Sequence, residues 1–236
     1  MSWKMKRPIL NAAVAGALAC TAGSVNATEL NFRIEATTPG SVAYAGGASD
    51  LLIGSGIEVD SVTGLTTPLH NDEVSTCVSC TLNFTSGAFS GYDVSSQTWL
   101  FNGGGSISVV GGIDFIDNSS IADIGTGTTL LSGNFTSASV TQLASGVFDF
   151  RIASGAFTDT KDPVLLGYYG LPNTNYVGGL NLSFTANSTG NGFSSTELYS
   201  GEIANAPVPV PAALWLLGSG LVGLVTIARR KTHRAQ

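Results

Sequence analysis

The chain has 236 residues, enough for one sizeable domain or two small ones, and 43% of them are hydrophobic against 11% charged. Its net charge of −6 hides a segregation: seven of the ten Lys and Arg lie in the two ends, while all sixteen acids lie between Glu29 and Glu202. The central region sets those sixteen acids against Arg33, Arg151 and Lys161 alone, a net charge of −13, which repels nucleic acid and anionic lipid and argues against both as its partners.

At the start of the chain, Lys4-Met5-Lys6-Arg7 precede an apolar run from Pro8 to Ala19, and Val25-Asn26-Ala27 follows. This is a basic segment, a short apolar segment and a small-x-Ala site, so residues 1–27 read as a signal peptide cleaved after Ala27 by signal peptidase. The apolar run is too short and too interrupted for a comfortable membrane span. Cys20 is a poor lipidation site, because Ala17 stands where Leu is usual.

Residues 28–206 form the expected body. No helical periodicity stands out there. Short alternating or apolar runs are instead bounded by Gly, Asn, Asp and Ser, which reads as strands over 29–36, 56–62, 81–85, 98–101, 106–110, 129–140, 146–158, 163–169, 178–186 and 196–203. In two of them the alternation is clean: Phe148, Phe150 and Ile152 share one face, as do Leu180, Leu182 and Phe184. This spacing predicts an all-β fold, an antiparallel β-sandwich or jelly roll, with a β-helix as the main rival. Parallel pairing is disfavoured because no crossover helices are available. Residues 187–191 read as a loop and 205–210 as a Pro-containing tether.

Few residues in the body suggest chemistry. His70 is its only histidine, and Leu69-His70-Asn71-Asp72-Glu73 has the composition of a solvated loop; no Gly-x-Ser-x-Gly elbow accompanies it. Cys77-Val78-Ser79-Cys80 holds its only cysteines. A redox pair would need a helix N-terminus and zinc would need four ligands, so in an oxidising compartment the spacing favours a local disulfide. Trp99 and Tyr168, with Tyr92, Tyr169 and Tyr176, are candidates for sugar contact if they line one sheet face; packing is the competing role. Carboxylate pairs such as Asp114 with Asp117, or Asp159 with Asp162, are inevitable among sixteen acids and carry little weight for hydrolysis. Asp114, Asp117 and Asn118 lack the spacing of a calcium loop. The expectation is therefore no catalytic residue, no cofactor and no metal.

The end of the chain is more specific. Val208-Pro209-Val210-Pro211 leads into an uncharged apolar run over 212–228, followed by Arg229-Arg230-Lys231. As a helix this run spans about 25 Å, a little short of a hydrocarbon core, and the cations hold its end in the cytoplasm. Gly218-Ser219-Gly220-Leu221-Val222-Gly223 matches the dinucleotide fingerprint by letter only, since no βαβ unit surrounds it. The expected architecture is thus a signal helix, a β-body and a C-terminal transmembrane helix, with the body outside the inner membrane.

This tail resembles the PEP-CTERM sorting signal of Gram-negative bacteria. The matching residues are Val208, Pro209, Pro211, Ala212 and Ala213, the apolar run, and Arg229, Arg230 and Lys231. Val210 stands where the name-giving pattern has Glu. The resemblance implies recognition and removal of the tail by an exosortase, in a host that makes exopolysaccharide. It points to a protein held at the inner membrane as a precursor and then displayed at the cell surface or in the matrix. A structural or interaction role for the body follows most directly; a carbohydrate-binding or weakly carbohydrate-active body is the alternative.

Overall fold

The computed structural model describes residues 28–35, 39–115 and 122–208, with the backbone alone at 153–156 and 189. The expected signal peptide and its cleavage site at Ala27 lie outside these residues, as do the expected span over 212–228 and the basic end. Among the described residues no helix is long and apolar enough to cross a membrane.

Nine strands follow one another with one short helix between them: β1 (Glu29–Ile34), β2 (Ser41–Tyr44), β3 (Leu51–Leu65), β4 (Val74–Asp93), β5 (Thr98–Asp114), β6 (Ile124–Ala144), β7 (Val147–Lys161), α1 (Pro163–Tyr168), β8 (Tyr176–Thr189) and β9 (Gly192–Pro207). From β3 to β9 each strand pairs antiparallel with the next. β1 and β2 lie end to end in the remaining gap. β1 pairs with the second half of β3 and with β9, and β2 pairs with the first half of β3 and with β9. The ring is thereby closed, and the sheet is an up-and-down barrel without a free edge.

The all-β, antiparallel expectation holds at this level. The two-sheet sandwich or jelly roll does not: the strands form one sheet, in sequential order, with no strand crossing between sheets. Strand periodicity fixes which residues face the core, and that inner face looks the same whether the sheet closes on itself or lies against a second one.

Inward residues fill the barrel as one apolar cluster, so it has a solid core. Phe84 on β4 stacks on Phe150 on β7, with ring centroids 4.6 Å apart and planes at 17°, which joins opposite walls. Phe84 fits because its cross-strand partner is Gly54; a Cβ on Gly54 would lie 2.1 Å from the ring. The outer surface carries hydroxyls and amides, with Thr–Ser and Thr–Thr hydrogen bonds between strands at Thr85–Ser106, Thr98–Thr141 and Thr185–Thr196. A transmembrane barrel has the reverse arrangement, an apolar band facing outward.

Three further expectations change. Residues 163–169 form α1 and its cap, not a strand. Asp162 accepts hydrogen bonds from Val164 N (2.8 Å) and Leu165 N (3.1 Å), and Pro163 occupies the first turn, where its missing N–H costs nothing. Leu165 and Leu166 are buried, so the helix closes one end of the barrel. The expected loop at 187–191 is mostly strand. The expected tether begins three residues too early: Asn205, Ala206 and Pro207 pair with Gly178, Val177 and Tyr176.

Candidate functional site

The two ends of the described chain emerge together. Leu30 pairs with Asn205, so β1 starts where β9 finishes. Val208 N donates to Asn175 O at 3.1 Å, the last backbone hydrogen bond before the tail. The connection through α1 and the loop at 66–73 lie at this same end, because alternate connections of an up-and-down barrel fall on one side. The opposite end carries the tight turns at 45–50, 94–97, 145–146 and 190–191.

Trp99 and Tyr168 fall at these opposite ends, so no single aromatic platform contains both. Trp99 is half-buried among Tyr92, Phe148 and Phe193, with centroids 4.8, 5.7 and 5.4 Å away. Its Nε1 donates to Asn191 O at 3.2 Å. Tyr168 lies between Phe115 and His70, parallel to both at centroid distances of 3.7 and 3.9 Å. Packing accounts for both rings. Tyr169 and Tyr176 are fully enclosed in the core.

His70 is less free than its loop composition implies. Besides stacking on Tyr168, its Nδ1 lies 2.9 Å from Glu73 Oε2, and the Tyr168 hydroxyl donates to Glu73 Oε1. These hydrogen bonds, that from Tyr168 first and that from His70 second, hold the Glu73 carboxyl below the usual carboxylate range. The cluster fastens the loop to α1.

Cys77 and Cys80 are neighbouring thiols, and Cys80 Sγ donates to Gly112 O at 3.2 Å. Asp159 and Asp162 serve separate purposes: Asp162 caps α1, and Asp159 faces inward against Lys161. The Lys161–Asp159 pair, with the ammonium 4.1 Å from the centre of the Tyr176 ring, escaped the sequence reading. Its signal was available, because 157, 159 and 161 share one face of a strand and Phe157 marks that face as inward. Asp117 and Asn118 lie outside the described residues. Among those described, no three His, Cys, Asp or Glu side chains are grouped to hold a metal ion.

An open groove of about 1020 Å³ crosses the wall from β5 to β9. Its charged lining consists of Glu29, Arg151 and Glu202, with Asn102 and Asn181 beside them. Its aromatic residue among the described lining is Phe101, which is buried, so the groove offers amides and charges to a ligand but no exposed ring to stack on.

Fold and surface together define a class: a closed, polar-surfaced β-barrel body whose last strand runs directly into a tail. Residues 207–231 match the family model of the PEP-CTERM protein-sorting motif. The motif therefore begins on Pro207, the last barrel residue, and it contains Val208, Pro209, Pro211, Ala212, Ala213, Arg229, Arg230 and Lys231. It implies an exported surface protein processed by an exosortase. No curated protein and no solved structure matches the chain.

Proposed function

We propose that the barrel is a non-catalytic structural or interaction module, exported behind a signal peptide, held at the inner membrane by the tail, and passed by an exosortase to the cell surface or the exopolysaccharide matrix. The observation that carries this reading is the direct junction between β9 and the sorting motif at Pro207. A body with a filled core, a polar outer surface and both ends on one side is suited to display: the tight-turn end points away from the membrane while the tail remains attached. The sugar-binding alternative lacks the aromatic row it needed, since Trp99 and Tyr168 are separated and packed.

The reading is tested by replacing Pro209 and Pro211 with Ala in the native host and following the protein's mass and location. The expected result is full-length precursor retained in the inner-membrane fraction. Unchanged trimming and release would remove the sorting assignment. A glycan-binding screen of residues 28–208 separates the two roles of the body: specific binding would favour the carbohydrate alternative.

A further inference from the structure

Strand β4 changes phase between its two cysteines. Residues three apart on a regular strand face opposite sides of the sheet. Here Ser75 and Cys77 face the core on one side of the change, and Cys80, Leu82 and Phe84 face it on the other. One inserted residue makes the change, since Val78 pairs with Gly112 while Thr81 pairs with Val110. Ser79 adopts φ of 53° to accommodate it, a left-handed conformation that strains a non-glycine residue. The backbone strain brings both sulfurs to one face. The neighbouring strand is shaped to receive them: a Cβ on Gly111 would lie 2.6 Å from Cys80 Sγ, and that sulfur donates to Gly112 O at 3.2 Å. Cys80 is 1% exposed, whereas Cys77 is only partly buried.

We propose that Cys77 and Cys80 form a thiol–disulfide exchange site, in which Cys77 takes the incoming disulfide and Cys80 closes the ring. The incoming group is a protein disulfide or a small disulfide such as oxidised glutathione. Cys77, only partly buried, is the more accessible of the two residues. As it attacks one sulfur of the donor, its proton passes to the donor's other half, which leaves as a thiol. Cys80 then attacks Cys77 Sγ, and its own proton goes to the second half, which leaves as a thiol in turn. Two protein thiols are oxidised to one disulfide and the donor disulfide is reduced to two thiols. The neighbouring Cys80 sulfur and burial push the Cys77 thiol up, so the opening attack is slow at neutral pH. The closed ring pins the Ser79 bulge.

The test uses the reduced full-length chain in detergent, with Cys20→Ser in every sample so that only the pair reacts. Oxidised glutathione is added, the reaction is quenched with acid, and intact mass is read over time. The wild-type pair should lose two hydrogens and retain no glutathione. Cys80→Ser should retain one glutathione, and Cys77→Ser should acquire it at least about tenfold more slowly, as restricted access to the buried sulfur requires. Circular dichroism checks that each variant is folded. A wild-type pair that stays reduced or keeps two glutathiones overturns the proposal, as does equal labelling of the two single variants.

Discussion

Lys161 and Asp159 stand two residues apart on the inner face of β7, and their charged ends meet where neither side chain has any exposed surface. Removing both charges from water is costly, and their attraction offsets that cost only while both are present. Asp159 Oδ1 has no hydrogen-bond partner, so the pair is incompletely compensated. Lys161→Ala alone should destabilise the barrel by roughly 3–5 kcal/mol, since it leaves a buried carboxylate unpaired. The double replacement Asp159→Leu with Lys161→Met should recover most of that loss. Urea melts of the three proteins measure it; a double variant no better than the single one would show that the pair itself stabilises the fold.

The same pair makes stability depend on alkaline pH. Burial pushes the Lys161 ammonium down to about 8, against the attraction of Asp159, and it pushes the Asp159 carboxyl up. In the unfolded chain Lys161 holds its proton to the ordinary value of 10.5. Between those two values the unfolded state binds more protons, so the Lys161 contribution to stability rises with pH. Below the lower value the full penalty for burying the cation is present. Lys161→Met lacks this dependence. Urea midpoints at about pH 7.5 and about pH 9.5 should therefore show the wild type gaining on the variant. Tyr176, pushed up to about 12 by its burial, adds an opposing fall above its ordinary value of 10, but it does so in both proteins. Parallel pH profiles would contradict a depressed Lys161.

At the acid end the informative group is Glu73. Its carboxyl is lowered first by the hydrogen bond from Tyr168 and then by that from His70. A folded value below the unfolded one contributes stability above the ordinary 4.5, and the contribution is lost as pH falls through the folded value. Tyr168→Phe removes the larger cause and keeps the ring stack with Phe115 and His70. Carboxyl titration followed by NMR should show Glu73 moving back toward its ordinary value in this variant. An unchanged titration would mean that Tyr168 does not hold the carboxylate.

Much of this architecture was legible one strand at a time. The alternation at Phe148, Phe150 and Ile152, and at Leu180, Leu182 and Phe184, gave both strands and their inward faces, because periodicity is local. Barrel closure was not legible, because the end-to-end placement of β1 and β2 and their pairing with β9 are set by register between opposite ends of the body. Glycine misled in one direction: Gly103, Gly104 and Gly105 look like a strand break, yet β5 runs through them with a bulge. Apolar content misled in the other: Val164, Leu165 and Leu166 look like a strand, while Asp162-Pro163 just before them is a helix start. For the sites, the tail was readable because its residues are contiguous. The cysteines were readable as a pair, but the bulge that turns both inward was not. His70 lies exposed in its loop as its composition suggests, but its stack on Tyr168 was not legible, because the two residues are far apart in the chain.

The position of the motif makes one last expectation sharp. Residues 192–207 close the seam between β8 and the β1–β2 stave, so the barrel is complete before the tail begins. A chain ending at Val208 should therefore keep its β-structure and stay in solution without detergent, as its polar outer surface requires. Its Tm should differ from that of the full-length chain by no more than about 2 °C, a shift that corresponds to under about 1 kcal/mol for a domain of this size. A chain ending at Gly190 lacks β9, exposes the β8 and β1 edges and opens the core beside Phe184 and Leu30. It should lose the cooperative melt and aggregate. Circular dichroism and light scattering on the two truncations decide the matter. If the chain ending at Val208 also unfolds, the tail is part of the body, and removal by an exosortase would destroy the domain it is meant to release.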